Sequence, residues 1–244
     1  MSIPTVIVIA GPTASGKTKL SIELAKEING EIVSADSMQI YREMNIGTAK
    51  VTKDEMQGVK HYMIDIINPS ERYSVSSYKK DAEAAIEKIL EKGKVPIICG
   101  GTGLYINSLI YGIEYKDEKI DEIYRNELKE IAEKQGLDFL YNKALEIDEE
   151  AMKKISKNDK KRIIRVLEIY HNTGKTKTEQ DIESRAKGVK YNYKVFAINM
   201  DRQILYDRIN QRVDIMLKEG LVEEVKSILS KYDVFPTAMQ GLRV

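Results

Sequence analysis

Short apolar runs alternate with stretches of helical periodicity through the first hundred residues of the chain. The runs are VIVIA at 6–10, EIVSA at 31–35, YMIDI at 62–66 and VPIIC at 95–99, each of a length that suits a buried strand. Between them, KTKLSIELAKEI sets Leu20, Leu24 and Ile28 at helical spacing, and a second helical pattern at 78–93 ends on the C-cap glycine Gly93. Such alternation predicts an α/β fold, a parallel sheet with helices on both faces. A fifth strand, YKVFAIN at 193–199, comes only after a long interruption, and a helix over 201–220 follows it, capped by Asp201 and closed near Gly220. The interruption carries charged helical patterns, IDEIYRNELKEIAEKQG and DKKRIIRVLEIYHNTG, and no convincing strand. The chain therefore divides into a core of residues 1–114 and 191–244 and an all-helical insertion of residues 115–190.

Composition narrows the partners. With 244 residues the chain can bury one sizeable core and a subsidiary lobe. Lys and Arg total 39 against 38 Asp and Glu, so any polyanion must be met by a local patch. One such patch is residues 151–165, where seven Lys or Arg stand against the single acid Asp159. The lone Cys99 excludes an internal disulfide and reads as a small buried residue in a reducing cytoplasm. No basic region precedes the first apolar run, which reads as a strand and not a signal peptide, and nothing reaches membrane-spanning length. The expectation is a soluble, cytoplasmic protein with no membrane partner.

GPTASGKT, residues 11–18, follows the first strand and feeds the first helix. The spacing GxxxxGKT fits a cradle whose backbone N–H groups point at phosphate oxygens, formed by Gly11, Pro12, Thr13, Ala14, Ser15, Gly16, Lys17 and Thr18. Lys17 would reach the outer phosphate, the Thr18 hydroxyl would ligate Mg²⁺, and Gly11 and Gly16 would supply the required backbone conformations.

Ligands of such sheets gather beyond the carboxyl ends of the strands, which picks out Asp36, Asp65 and the turn GGTG at 100–103. Asp36 suits a proton acceptor facing the cradle, or equally an Asx-type cap on the turn DSMQ. Thr102 suits a donor to a bridging or leaving oxygen, or an ordinary turn before the helix LYINSLI. Asp65 is open between a metal ligand and a surface carboxylate or helix cap; the strand before GGTG ends in Cys99, without the carboxylate expected of an ATP hydrolase. Lys161, Arg162 and Arg165 lie on a helix whose buried face is Ile163, Ile164, Val166 and Leu167, and form either a solvated face or phosphate contacts. His61 and His171 have no partner at zinc-ligand spacing.

Taken together, GPTASGKT, SADSMQIYREMNIGTAK, HYMIDI followed by NPSERYSV, GGTGLYI, NDKKRIIRVLE and LYDRINQRVDIMLKEGLVEEV run in order over nearly the whole chain and resemble the tRNA dimethylallyltransferases. The phosphate loop alone is common to many kinases and ATPases; its combination with DSMQIY and GGTGLY is specific. The resemblance implies a P-loop nucleoside-triphosphate-hydrolase-like core whose cradle holds the diphosphate of dimethylallyl diphosphate with Mg²⁺. It implies transfer of the dimethylallyl group to the N6 amine of the adenine 3′ to the anticodon, with Asp36 as general base and Thr102 and Lys17 acting at the reacting bridge. It further implies that the tRNA anticodon stem-loop meets Asp36, Ser37, Met38, Gln39, Arg125, Lys161, Arg162, Ile163, Ile164 and Arg165, the last six within the insertion. Arg208 and Arg212 are weaker candidates for the diphosphate, and a monomer is expected.

The chain departs from the family pattern at Tyr62, where many relatives have a second histidine, and at Tyr78, where phenylalanine is frequent. It also stops at QGLRV, where the family usually reads on, which reads as a truncated end lacking part of the core and of the tRNA-contacting surface. The residues alone leave open a small-molecule kinase using the same loop for ATP, a prenyltransferase of free adenine nucleotides, and a nucleotide-binding module without catalysis.

Overall fold

The computed structural model describes residues 3–115, 121–232, 236 and 238–239. The chain end QGLRV lies outside them. The chain falls into two compact units, one of residues 1–112 with 189–244 and the other of residues 113–188.

The first unit is built on a wholly parallel sheet of β1 (Thr5–Ala10), β2 (Gly30–Ser34), β3 (His61–Tyr62), β4 (Val95–Gly100) and β5 (Asn192–Ala197), in the order β3-β2-β4-β1-β5. Its helices are α1 (Lys17–Glu27), α2 (Lys53–Met56), α3 (Val75–Glu91) and α4 (Gly103–Ile110), together with the C-terminal pair described below. Side chains of a strand alternate between faces, and the core divides accordingly. Val6, Val8, Val33 and Ile98 pack with Tyr78, Ala82, Ile86 and Ile89 of α3 and with Ile106 and Leu109 of α4. Ile9, Ile32, Ile97 and Cys99 pack with Ile22 and Ala25 of α1. Tyr78 is fully buried, stacks on Tyr105 at 3.8 Å between centroids and donates its hydroxyl to the Ser34 carbonyl at 3.1 Å. The phenolic group is thus accommodated by one backbone acceptor at the end of β2.

The third strand is shorter than the run YMIDI predicts. Met63 and Asp65 take left-handed backbone (φ 63° and 55°), which ends pairing with β2 after Tyr62. The chain then runs along the segment after β2 instead, with the N–H groups of Asp65 and Ile66 donating to the carbonyls of Gln39 and Ile40.

At the opposite, amino-terminal end of the sheet Glu31 is buried and accepts from Lys94, Lys92 and Tyr62 at 2.9, 2.9 and 2.8 Å. Burial by itself would raise its carboxyl, but the bonds from Lys94, Lys92 and Tyr62 outweigh that and hold it down, to about 2. A group whose folded value lies below its unfolded one stabilises above the unfolded value and loses that contribution as pH falls. Glu31→Gln should therefore flatten the acid limb of the melting temperature between about pH 4.5 and 2, removing about 2 kcal/mol once the partly exposed lysines are discounted. Thermal melts of both proteins across that range check it; superimposable limbs would refute it.

The second unit holds α5 (Glu122–Gln135), α6 (Leu137–Ile147), α7 (Glu149–Met152), α8 (Lys160–Thr173) and α9 (Lys177–Ser184). Leu128, Leu140, Ala144, Met152, Ile163, Val166 and Leu167 form its core. Asp159 caps α8 by accepting from the Arg162 N–H at 3.0 Å, and Gly174 closes it at φ 68°. The C-terminal helices of the first unit are α10 (Arg202–Lys218), capped by Asp201, and α11 (Leu221–Lys231). No helix among the described residues is long and apolar enough to cross a membrane.

Candidate active site

The turn after β1 enters α1 through Gly16 at φ 89°, a conformation open to glycine and strained for other residues. Gly11 lies outside the left-handed region and is needed for space: a Cβ there would stand 3.2 Å from both the Ser15 hydroxyl and the Ile198 side chain. The Ser15 hydroxyl is buried without a hydrogen-bond partner, as expected of a donor awaiting an oxyanion. The Thr18 hydroxyl has no partner among the described residues either. Lys17 curls back to donate to the Pro12 carbonyl. Burial lowers its pKa, Cys99 and Asp36 oppose the shift, and Arg212 adds to it.

A cleft of about 560 Å³ opens on this loop, lined by Ser15 to Thr18, Glu55 and Gln57, and by Arg208 and Arg212 of α10. Arg212 donates to the Thr13 hydroxyl at 3.1 Å. The two arginines therefore border the loop directly. An orphaned hydroxyl, a lysine, two arginines and an open loop backbone suit a diphosphate, and the Thr18 hydroxyl with the oxygens of that ligand suits Mg²⁺.

Asp36 and Thr102 do not line this cleft, yet three motifs meet at the carboxyl end of the sheet. Gly100 approaches the end of β2 so closely that a Cβ would stand 2.2 Å from the Ala35 carbonyl oxygen. The Thr102 N–H donates to the same carbonyl at 3.0 Å. The Ser37 N–H then donates to the Thr102 hydroxyl at 3.0 Å, and that hydroxyl faces the Ser37 hydroxyl at 3.3 Å. On its other side GGTG reaches the phosphate loop, since a Cβ on Gly101 would lie 3.2 Å from the Gly11 carbonyl and 3.9 Å from the Lys17 ammonium.

Asp36 does form the Asx-type turn: Oδ1 accepts from the Met38 and Gln39 N–H groups at 2.9 and 3.3 Å. Oδ2 has no partner among the described residues, so one oxygen orients the carboxylate and the other is available to a proton. The Gln39 side chain is half-buried, its amide donating to the Thr48 and Ala49 carbonyls at 3.2 Å each. Met38 packs against the cluster of Ile40, Tyr41 and Met44.

The other candidate residues are distributed over both units. Asp65 holds the Lys50 ammonium at 2.5 Å, which makes it an ion-pair partner. Lys50 is buried and also donates to the Tyr41 carbonyl and the Asn45 amide oxygen, an arrangement the sequence did not announce. Ile163 and Ile164 are buried in the helical unit, so their side chains anchor α8. Arg125 makes a two-pronged pair with the buried Glu168, and Arg165 approaches that carboxylate at 3.8 Å. Lys161 and Arg162 are exposed, Arg162 at 3.3 Å from Asp159. His61 faces its neighbour's carbonyl at Val59, and His171 stacks on Tyr124 at 3.8 Å and lies 3.6 Å from Asp121.

Comparison with known proteins adds an independent line. A family model described as IPP transferase matches residues 39–244. The tRNA dimethylallyltransferase of Acetivibrio thermocellus is 52% identical over 238 residues, 97% of this chain and 76% of that protein. The crystal structure of the full-length tRNA isopentenylpyrophosphate transferase from Bacillus halodurans superposes with a TM-score of 0.67 at 42% identity, covering 98% of this chain and 74% of that one. A eukaryotic dimethylallyltransferase captured acting on tRNA superposes with a TM-score of 0.75 at 32% identity, over 94% of this chain and 57% of that one. With the family model spanning most of its length and half of its residues shared with such a relative, this chain belongs to the IPP transferase family.

Proposed function

We propose that the chain transfers the dimethylallyl group of dimethylallyl diphosphate to the N6 amine of the adenine 3′ to the anticodon of tRNA, releasing diphosphate. The observation that carries this reading is the junction of GGTG with both neighbouring loops, Thr102 bonded to Ser37 and Gly101 against Gly11 and Lys17. That junction draws a carboxylate and a phosphate cradle toward one another, which a simple nucleotide-binding module would not need. Relatives of half-identical sequence carry the same activity in their names.

The exocyclic amine of adenine is a poor nucleophile because its lone pair is delocalised into the ring. Oδ2 of Asp36 accepts a proton from it as nitrogen attacks the allylic carbon; the carbon–oxygen bond breaks and its electron pair leaves on diphosphate. Lys17, the loop amides and the Ser15 hydroxyl stabilise that growing charge. Bound Mg²⁺, held by Thr18 and the diphosphate, would add Lewis-acid stabilisation of the leaving group. Thr102 already accepts from the Ser37 N–H, so its own proton is free to turn from the Ser37 hydroxyl toward the bridging oxygen. Arg208 and Arg212 hold the outer phosphate, and Arg212 steadies Thr13 meanwhile.

Drawing an adenine from the anticodon loop costs a few kcal/mol, which phosphate and base contacts must offset. Lys161 and Arg162 offer such contacts from the helical unit, while Arg125 and Arg165 serve first to neutralise Glu168. The Lys161→Ala, Arg162→Ala double variant should raise KM for tRNA with kcat preserved, and should lower the slope of log KM against log salt by roughly 0.7–0.9 for each cation lost. An unchanged slope would remove these residues from the RNA interface. The function itself is tested by incubating the protein with labelled dimethylallyl diphosphate and unmodified tRNA. Label in the RNA is expected; label in free AMP alone would correct the acceptor, and transfer of labelled phosphate from ATP would replace the reading with a kinase.

A further inference from the structure

The loop that follows DSMQIY is gripped from a distance by one side chain. Glu224 of α11 accepts three successive backbone N–H groups: Oε2 from Asn45 and Ile46, both at 2.8 Å, and Oε1 from Gly47 at 3.0 Å. Three consecutive amides turned toward one point form an anion-binding concavity, and here the anion is a carboxylate supplied by the protein itself. The loop is otherwise a tense one. Glu43 and Ala49 both sit in left-handed backbone, at φ 65° and 46°, a conformation that side-chain-bearing residues hold only under restraint from their surroundings.

What the loop carries explains why it must be held. The carbonyls of Thr48 and Ala49 fix the Gln39 amide, and the Gln39 N–H donates to Oδ1 of Asp36. The Ala49 N–H in turn donates to the Ile46 carbonyl and the Lys50 N–H to the Asn45 carbonyl, so the residues Glu224 grips are those the rest of the loop closes on. A continuous chain of hydrogen bonds thus runs from α11 to the carboxylate beside the phosphate loop. We propose that Glu224 is a positioning residue for prenyl transfer: it sets the loop that orients Asp36 and has no part in holding the diphosphate. The proposal rests on the reading of Asp36 as the general base.

Removing the carboxylate should leave the fold in place, because Ile228 and Val225 of the same helix pack independently on Ile40, Tyr41 and Met44. The experiment compares Glu224→Ala and Glu224→Gln with the parent protein in steady-state transfer of labelled dimethylallyl to tRNA, with and without added acetate, and in amide hydrogen exchange. In Glu224→Ala, kcat should fall by up to about a hundredfold, as for a modest misplacement of a reacting group, while KM for dimethylallyl diphosphate stays unchanged. Acetate should restore part of the loss by entering the vacated concavity, and exchange should quicken at Asn45, Ile46 and Gly47. Glu224→Gln should show the same split to a smaller degree and carries the test if the alanine variant does not fold. Lys231→Ala, which breaks the exposed pair of the same helix with Glu43, should leave kcat as it was. Full activity in Glu224→Ala, or a loss shared by the dimethylallyl diphosphate KM and untouched by acetate, would overturn the proposal. A parent protein that labels no RNA would instead overturn the function on which it stands.

Discussion

Asp36→Asn will cut the single-turnover rate of transfer to tRNA by about a hundred- to ten-thousandfold while leaving dimethylallyl diphosphate binding intact. Asparagine keeps an acceptor oxygen at the Oδ1 position, so the turn closed by the Met38 and Gln39 N–H groups survives. What disappears is the unpartnered Oδ2 and with it a carboxylate whose charge Lys17 feels and whose neighbour Ser37 is bonded to Thr102 of the GGTG turn. Asp36→Ala removes the turn as well and should be slower still, with weaker tRNA binding. Rapid-quench measurement with labelled donor separates the two effects. A rate for Asp36→Asn within a few fold of the parent would show that proton removal is not limited by this residue.

Lys17→Met should lower kcat/KM for dimethylallyl diphosphate by about 10²–10³, with tRNA affinity unchanged. Methionine preserves the length of the stem, so only the cation is lost. In the structure that cation is satisfied by its own loop through the Pro12 carbonyl, and the Asp36 charge favours it. Because burial lowers its pKa, the ammonium is lost at a lower pH than that of an ordinary lysine. Affinity for inorganic diphosphate, measured by calorimetry, should therefore weaken on the alkaline side before free lysine would titrate, and that weakening should be absent in Lys17→Met. An alkaline limb of equal position in both proteins would assign it to another group.

Much of the fold is written in local patterns. β1, β2, β4 and β5 fall within two residues of the apolar runs, and β2 and β4 do so because a strand buried on both faces needs a nearly unbroken run of such residues. α10 begins at the acidic cap that Asp201 announces. The third strand was misjudged because apolar content cannot reveal the left-handed backbone of Met63 and Asp65. The phosphate loop was legible from eight adjacent residues, whereas pairings across long separations were not. Arg125 and Glu168 stand 43 positions apart, and Glu224 and Asn45 stand 179 apart. Nothing near either residue distinguishes a buried ion pair or a backbone clasp from ordinary surface charge. Ile163 and Ile164 belong to the contact segment that the resemblance implies, while their side chains lie inside the helix packing.

The 2.2 Å that separates a notional Cβ on Gly100 from the Ala35 carbonyl has an evolutionary reading. Main-chain atoms, unlike side chains, are not exchanged by point mutation, so the spacing between the GGTG turn and the end of β2 is insulated from the usual route of drift. Variants selected to accept longer allylic donors should consequently accumulate changes around the rim of the cleft, at positions such as Gln57, Arg208 or Gln211, and leave the GGTG turn unaltered.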